Sequence, residues 1–309
     1  MSKIIVIGSS NTDMVIKTNR LPVPGETILG GTFMMNAGGK GANQAVAAVR
    51  LGGEVTFVTK TGNDIFGEKA MQQFINEGID TKYSIKDPVN PSGVALINVD
   101  ENGENCIVVA PGANGTLSKN EIIDKLFDHD LSDLFLLQLE IPLDTVEYTA
   151  KRAAGKGYRV ILNPAPASAL SDEILRSLYL ITPNETEAEI LTGIRVHDVS
   201  SAEKAALKLN EKGVKNVVIT MGATGAYILC GGISKLIPGN SVKAIDTTAA
   251  GDVFNGALTV ALSEGKTIED AVHFANKAAS ISVTRMGAQA SAPFRKEINL
   301  VTLKNNYST

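Results

Sequence analysis

The stretch Ala244–Leu262, AIDTTAAGDVFNGALTVAL, runs from a short apolar lead through small residues to a carboxylate and then a helical pattern. Its small side chains leave the backbone amides of Ala249, Ala250, Gly251 and Asp252 uncovered where a helix should begin. The first amides of a helix have no partner inside it, and together with the helix dipole they attract anions. Asp252 stands in that same first turn. The residues alone leave two roles open for it: a cap on the helix, or a proton acceptor beside a bound phosphate.

Outward from this stretch, apolar runs recur: KIIVIG from Lys3, EVTFVTK from Glu54, LFLLQLE from Leu134, YRVILNP from Tyr158, LYLITP from Leu178 and NVVITMG from Asn216. Such runs suit strands buried on both faces. Helical patterns lie between or after them, at Gly41–Leu51, Phe66–Glu77, Leu143–Ala154, Ser201–Lys212, Asp252–Glu264 and Thr267 to about Thr284. The alternation predicts an α/β fold with a parallel sheet covered by helices on both sides. Two regions, about 14–35 and 92–109, alternate instead around the turn signals PVPGE and ENGEN. They predict a small antiparallel sheet projecting from the main body, which must cover an active site, a partner subunit, or both.

Bulk numbers narrow the function. The 309 residues are 44% hydrophobic and 20% charged, the balance of a globular chain with one main core. A net charge of -4 argues against bulk nucleic-acid binding, though not against a local nest of amides for a small anion. No apolar stretch is long enough for a signal peptide or a membrane span, so a cytoplasmic protein is expected. Cys106 and Cys230 are expected as free thiols in the core, and His129, His197 and His273 as ordinary structural or solvated histidines. No internal repeat or low-complexity tract interrupts the chain.

Three nucleotide or nucleophile signatures fail. EGKT at Glu264–Thr267 ends like a P-loop but has Val260 where the first glycine belongs. GKGANQ at Gly39–Gln44 begins like a dinucleotide fingerprint but puts Gln44 at the third glycine. No GxSxG elbow occurs. Two glycine-rich helix starts remain, NAGGKGANQA from Asn36 and DTTAAGDVFNGA from Asp246.

With these two motifs, and with GSSNTD, PGANG, QLEIP, NPAPA, TPNETEAEILTG, TMGATGA and VTRMGAQAS, the sequence resembles the ribokinase family of carbohydrate kinases over essentially its full length. The family's DTxGAGD pattern is met with Ala249 and Ala250 in place of Gly-Ala. The resemblance implies a single domain over 1–309, a three-layer α/β sandwich with a mostly parallel central sheet and a small antiparallel lid. It implies ATP-dependent phosphorylation of D-ribose at its 5-hydroxyl and a homodimer formed through the lid. Kinases for deoxyribose, a nucleoside or a ketose are the alternatives, and a silent sugar sensor is a more distant one.

The resemblance also implies roles. Asp252 would take the proton from the sugar hydroxyl, and the amides of Ala249, Ala250, Gly251 and Asp252 would form the anion hole. Asn11, Asp13, Gly39, Lys40, Asn43 and Glu140 would bind sugar, with turn or cap chemistry as the plain alternative for Asn and Asp. Lys40 would orient phosphate or face solvent. Asn184, Glu187, Thr220, Gly222, Gly225 and Asn276 would serve the nucleotide, with Mg²⁺ organised through Asn184 and Glu187. NETE is also a capping box in its own right. A K⁺ site would use Asp246, Thr248, Ser282, Arg285, Gly287 and Ser291, several through carbonyls; otherwise RMGAQAS is a polar turn.

Overall fold

The computed structural model describes residues 2–128 and 133–298. His129 and the polar end at Asn305–Thr309 lie outside the described residues. In chain order the elements begin with β1 (Ile4–Ile7), β2 (Asn11–Lys17), β3 (Thr32–Gly38), α1 (Lys40–Arg50), β4 (Val55–Val58), β5 (Lys60–Gly62) and α2 (Ile65–Glu77). There follow β6 (Ile85–Asp87), β7 (Gly93–Val99), β8 (Asn105–Ala110), β9 (Leu134–Leu137), α3 (Leu143–Gly155), β10 (Arg159–Leu162), α4 (Asp172–Ser177) and β11 (Leu180–Ile181). The chain continues with α5 (Glu185–Thr192), α6 (Val199–Glu211), β12 (Asn216–Thr220), β13 (Gly225–Cys230), β14 (Ile233–Pro238), α7 (Ala250–Ser263) and α8 (Ile268–Ser282).

The main sheet has eight strands in the order β14-β13-β12-β11-β10-β9-β1-β4. It is parallel from β4 to β12, as the apolar runs require, and each residue of β1, β4 and β9 is buried. Side chains alternate across a strand. Ile4 and Val6 therefore join the core that contains Val46, Phe57, Leu258 and Val272 from α1, β4, α7 and α8, while Ile5 and Ile7 join the core with Val146, Ile174 and Leu209 from α3, α4 and α6. Two helical layers thus sandwich the sheet. The antiparallel pair β13 and β14 extends one edge. The sequence reading did not contain these two strands, because their apolar residues follow a glycine turn and β14 is mostly exposed.

α1 and α7 cross closely. A Cβ on Gly256 would lie 2.8 Å from both the Ala47 Cβ and the Gln44 carbonyl oxygen, so the missing side chain allows this approach. It brings the first turns of the two motif helices together.

The projecting sheet has the order β3-β2-β7-β8. Its outer pairings are antiparallel, and the middle one, β2 with β7, is parallel. Both of those strands leave the body at the same level, Asn11 opposite Gly93, and the crossover through α1 and α2 is long enough for parallel pairing. The first pair starts earlier and reaches further than its expected limits, from Asn11 to Gly38, and the second runs from Gly93 to Ala110, one residue later at each end. Cys106 was expected in the core and is exposed; it lies on edge strand β8, every residue of which is exposed. Cys230 is half-buried, and His197 and His273 are exposed.

Candidate active site

The start of α7 is bare. Ala249 is its N-cap, with no side-chain cap, and adopts φ 58° and ψ 14°. Among the described residues it is the one non-glycine residue with positive φ. An L-residue pays roughly 1–2 kcal/mol for this conformation, so the alanine that replaces the family's glycine keeps a glycine-like backbone under strain. The Ala250 amide is used in a turn to the Thr247 carbonyl at 3.2 Å. The amides of Ala249, Gly251 and Asp252 donate to no protein acceptor among the described residues. Three of the four expected donors are therefore open.

Asp252 is buried in the first turn. Its Oδ2 accepts from Asn43 Nδ2 at 2.8 Å and its Oδ1 from Gln44 Nε2 at 2.9 Å. Burial raises its pKa; Lys40 and the two amide donors oppose the rise and Glu140 adds to it. Lys40 is half-buried. Burial disfavours its ammonium, but the fields of Asp252, Glu140 and Glu187 outweigh that and hold its pKa above the usual value. Its side chain therefore belongs to this cluster.

The sugar-side residues converge on the same place. Glu140, in the turn after β9, accepts from Ser9 Oγ at 2.5 Å and from the Lys40 amide at 2.9 Å, which ties the start of α1 to the end of β1. Gly39 precedes that helix and its carbonyl accepts the Asn43 amide at 2.8 Å. Among the described residues Asn43 Oδ1 is buried without a partner, an open acceptor beside Asp252. Asn11 is oriented by Asn114, whose Nδ2 donates to Asn11 Oδ1 at 2.7 Å. Asp13 lies on the face of β2 shared with Asn11, and its pKa is pushed up to about 6 by burial, then by Glu140 and Asp252.

On the nucleotide side, Asn184 caps α5 and forms the capping box: Glu187 N donates to Asn184 Oδ1 at 2.8 Å, and Asn184 N to Glu187 Oε2 at 2.9 Å. Glu187 is nevertheless buried facing Lys40 and Asp252; burial raises its pKa, against the pull of the Asn184 amide and Lys40. A cavity of about 180 Å³ is bounded by Lys40, Asn184, Glu187, Thr220, Ala249, Ala250, Gly251 and Asp252, with Asn163, Thr182 and Asn255 also in its wall. Gly222, Gly225 and Asn276 lie outside this lining. Gly222 and Gly225 form the turn between β12 and β13, and the Asn276 amide is spent on the Ile237 and Pro238 carbonyls at 3.4 and 3.2 Å. A second cavity, about 250 Å³, sits between α2 and the base of the lid, with Ser10 and Asn11 in its wall.

The residues assigned to a monovalent cation join two loops. Asp246 Oδ1 accepts the Thr248 amide at 2.9 Å and Oδ2 the Gly287 amide at 2.8 Å. The Ser282 and Ser291 hydroxyls donate to the Ala279 and Ala288 carbonyls, and Arg285 pairs with Glu297.

Sequence reasoning missed Gln44, Asn163, Asn255 and Thr182. Gln44 donates to Asn163 Oδ1 at 3.0 Å as well as to Asp252, and Thr182 donates to Asn255 Oδ1 at 2.6 Å. The available signal was Gln44 beside Asn43, two polar residues in the otherwise small and apolar buried stretch of α1.

A bare helix start, a buried carboxylate and a neighbouring lysine share one cavity, and the chain belongs to the pfkB family of carbohydrate kinases, whose model matches residues 1–295. Among its relatives, a ribokinase of Haemophilus influenzae is 48% identical over 292 residues, covering 94% of this chain and 95% of that one. A deoxyribokinase of Salmonella typhi is 39% identical, covering 96% and 97%. The solved structure of Arabidopsis thaliana ribokinase complexed with ribose and ATP superposes with a TM-score of 0.89 at 32% identity, covering 97% and 99%.

Proposed function

We propose that this chain transfers the γ-phosphoryl group of ATP to the 5-hydroxyl of D-ribose. The observation that carries the reading is the buried Asp252 carboxylate, fixed by two amide donors at a helix start where the amides of Ala249, Gly251 and Asp252 stand open among the described residues. As the hydroxyl oxygen bonds to the γ-phosphorus, its proton passes to Asp252, and the bond to the bridging oxygen breaks to leave ADP. The amides of Ala249, Gly251 and Asp252 stabilise the charge on the transferred group. The open Asn43 Oδ1, with Asn11, Asp13 and Glu140, orients the sugar hydroxyls.

The residues fit the two cations. Glu187 spends Oε2 on its cap, and Oε1 is left to hold water of a hydrated Mg²⁺ near Asn184. That ion would neutralise phosphate charge. For K⁺, the carbonyls of the Asp246–Thr248 and Arg285–Ser291 loops are the fitting donors, because the Asp246 carboxylate already holds two amides and Arg285 is paired. The ion would order the loop that presents the anion hole.

In this reading the segments 14–35 and 92–109 supply the lid of one catalytic unit, and its closure excludes water. Phe33, Met35, Leu96 and Val108 share the outer face of the lid and are exposed, which supports pairing of two lids in a homodimer. Among the described residues no helix is long and apolar enough to cross a membrane; a cytoplasmic location accords with the reading.

The related deoxyribokinase sharpens the substrate question. The Asn11 amide, turned by Asn114, can read a hydroxyl that deoxyribose lacks. Coupled ADP release is to be followed with ribose, deoxyribose, fructose and adenosine, in K⁺ and in Na⁺. The expected result is the highest kcat/KM for ribose and stimulation by K⁺. Equal kcat/KM for ribose and deoxyribose overturns the assignment to Asn11, and indifference to the ion overturns the cation site.

A further inference from the structure

We propose that Gln44 is a positioning residue that aims the Asp252 carboxylate and keeps it ionised, and that Gln138 and Asn163 lock the Gln44 amide in the donating orientation this requires. The inference rests on the reading of Asp252 as the base. Gln44 is fully buried, so no solvent replaces its contacts. Its Oε1 accepts from Gln138 Nε2 at 2.5 Å, and its Nε2 donates to Asn163 Oδ1 at 3.0 Å and to Asp252 Oδ1 at 2.9 Å. Both hydrogens of the amide are used. Turning it over would set its oxygen against the Asp252 and Asn163 oxygens, and its nitrogen against the Gln138 donor unless Gln138, whose Oε1 has no partner among the described residues, turned with it. Asn163 cannot turn freely either, since its Nδ2 donates to the Thr182 carbonyl at 3.4 Å.

The geometry separates Gln44 from Asn43. Asn43 holds Oδ2 of Asp252 and keeps an open acceptor. Gln44 lies behind the carboxylate, bonded to protein alone, and holds the other oxygen. Together they fix the carboxylate plane. The charged groups facing Asp252 are Lys40 from α1, which favours the ionised form, and Glu140 after β9, Glu187 from α5 and Asp13 from β2, which oppose it. Against three acids and burial, a neutral donor, which bonds the charged carboxylate more strongly than the protonated acid, supports the form able to take a proton.

The test compares Gln44→Met, Gln138→Met and Asp252→Asn in steady-state kinetics with ribose and ATP over pH 5 to 9, with circular dichroism as the check on folding. In folded Gln44→Met we expect kcat to fall about 10- to 100-fold and the acidic limb of the kcat profile to move up by about one pH unit, with both KM values within about threefold of the parent. Gln138→Met, which loosens the Gln44 amide without touching Asp252, should move the limb in the same direction by less. An unmoved limb in folded Gln44→Met overturns the proposal even if kcat falls, because a merely structural contact would lower activity without changing the titration. If Gln44→Met does not fold, Gln138→Met decides: a raised limb supports the proposal and an unmoved one overturns it. Near-parental turnover in Asp252→Asn would instead remove the base assignment, a failure distinguishable from that of Gln44.

Discussion

Helices α7 and α8 follow one another, pack together and differ in length by one residue, yet their first turns are built in opposite ways. α8 opens on Thr267, whose hydroxyl accepts the Asp270 amide at 3.1 Å. α7 opens on strained Ala249 and, among the described residues, leaves the amides of Ala249, Gly251 and Asp252 without protein partners. The same contrast extends to the acids. Asp64, capping α2, has its pKa lowered because amide bonds from Gly67 and Ser92 overcome its burial, and Asp198, capping α6, is lowered by Ser201. Asp13, Glu187 and Asp252 are all raised, chiefly by burial. The capped helices α2, α6 and α8 satisfy a first-turn amide with a side chain, and the acids that cap α2 and α6 are favoured in their ionised form. The cluster around α7 keeps donors open and holds its acids in an environment that resists ionisation, which makes sense only where a ligand completes it.

The largest effect should come from removing the acid in the bare turn. Asp252→Asn is expected to fold and to bind ATP, with kcat reduced by about 10²–10⁴; pre-steady-state ADP release checks it, and near-parental turnover contradicts the role. In the parent, activity should decline on acidification at a pH above the ordinary aspartate range, since Asp252 must be ionised to accept a proton and its pKa is raised.

Next in size is the crossing that places the bare turn. Gly256→Ala puts a methyl 2.8 Å from Ala47 and from the α1 backbone. A loss of about 1–3 kcal/mol in urea unfolding is expected, with kcat reduced more than KM is raised, because α7 is pushed from Asn43 and Gln44. Unchanged kinetics would mean that the site tolerates separation of the two helices.

Asp13 tests the electrostatic half of the contrast. Its pKa rises from 3.8 unfolded to about 6 in the fold, so the fold prefers the protonated form. Stability that Asp13 contributes is fully present below pH 3.8 and is lost as the pH rises through about 6. Asp13→Asn should therefore gain about 2 kcal/mol at pH 7, after allowance for partial solvent contact, and gain little at pH 4. Denaturation at the two pH values decides. A gain that grows on acidification would reverse the sign.

The smallest effect belongs to the scaffold. Thr267→Ala should cost about 1 kcal/mol of stability from the lost cap, with kcat and KM unchanged. A kinetic change would show that α8 is not a passive neighbour of α7.

Much of this contrast was legible in the linear chain. AAGD announced the bare turn because small residues cannot cap, and the apolar runs announced buried parallel strands because both faces must be covered. NETE could be read both as a capping box and as part of the site, and in the structure the box forms while Glu187 also faces the cavity. Gln44 was passed over as a failed glycine position, since nothing within GKGANQ says which neighbour its amide meets. Its partners Gln138, Asn163 and Asp252 are 94, 119 and 208 residues away. Cys106 was misplaced because an apolar neighbourhood, NCIVVA, does not reveal whether a strand is central or an exposed edge.

Local chemistry, then, was determined by the sequence alone: where helices start, which starts lack caps, which strands want two covered faces, and that an acid sits in an uncapped, small-residue turn. Such properties depend on residues a few positions apart, so spacing carries them. The tertiary structure decided what meets that acid, how strongly it resists ionisation and which amides aim it. Those outcomes come from burial and from hydrogen bonds closed between distant segments, and they exist only once α1 and α7 have crossed at Gly256.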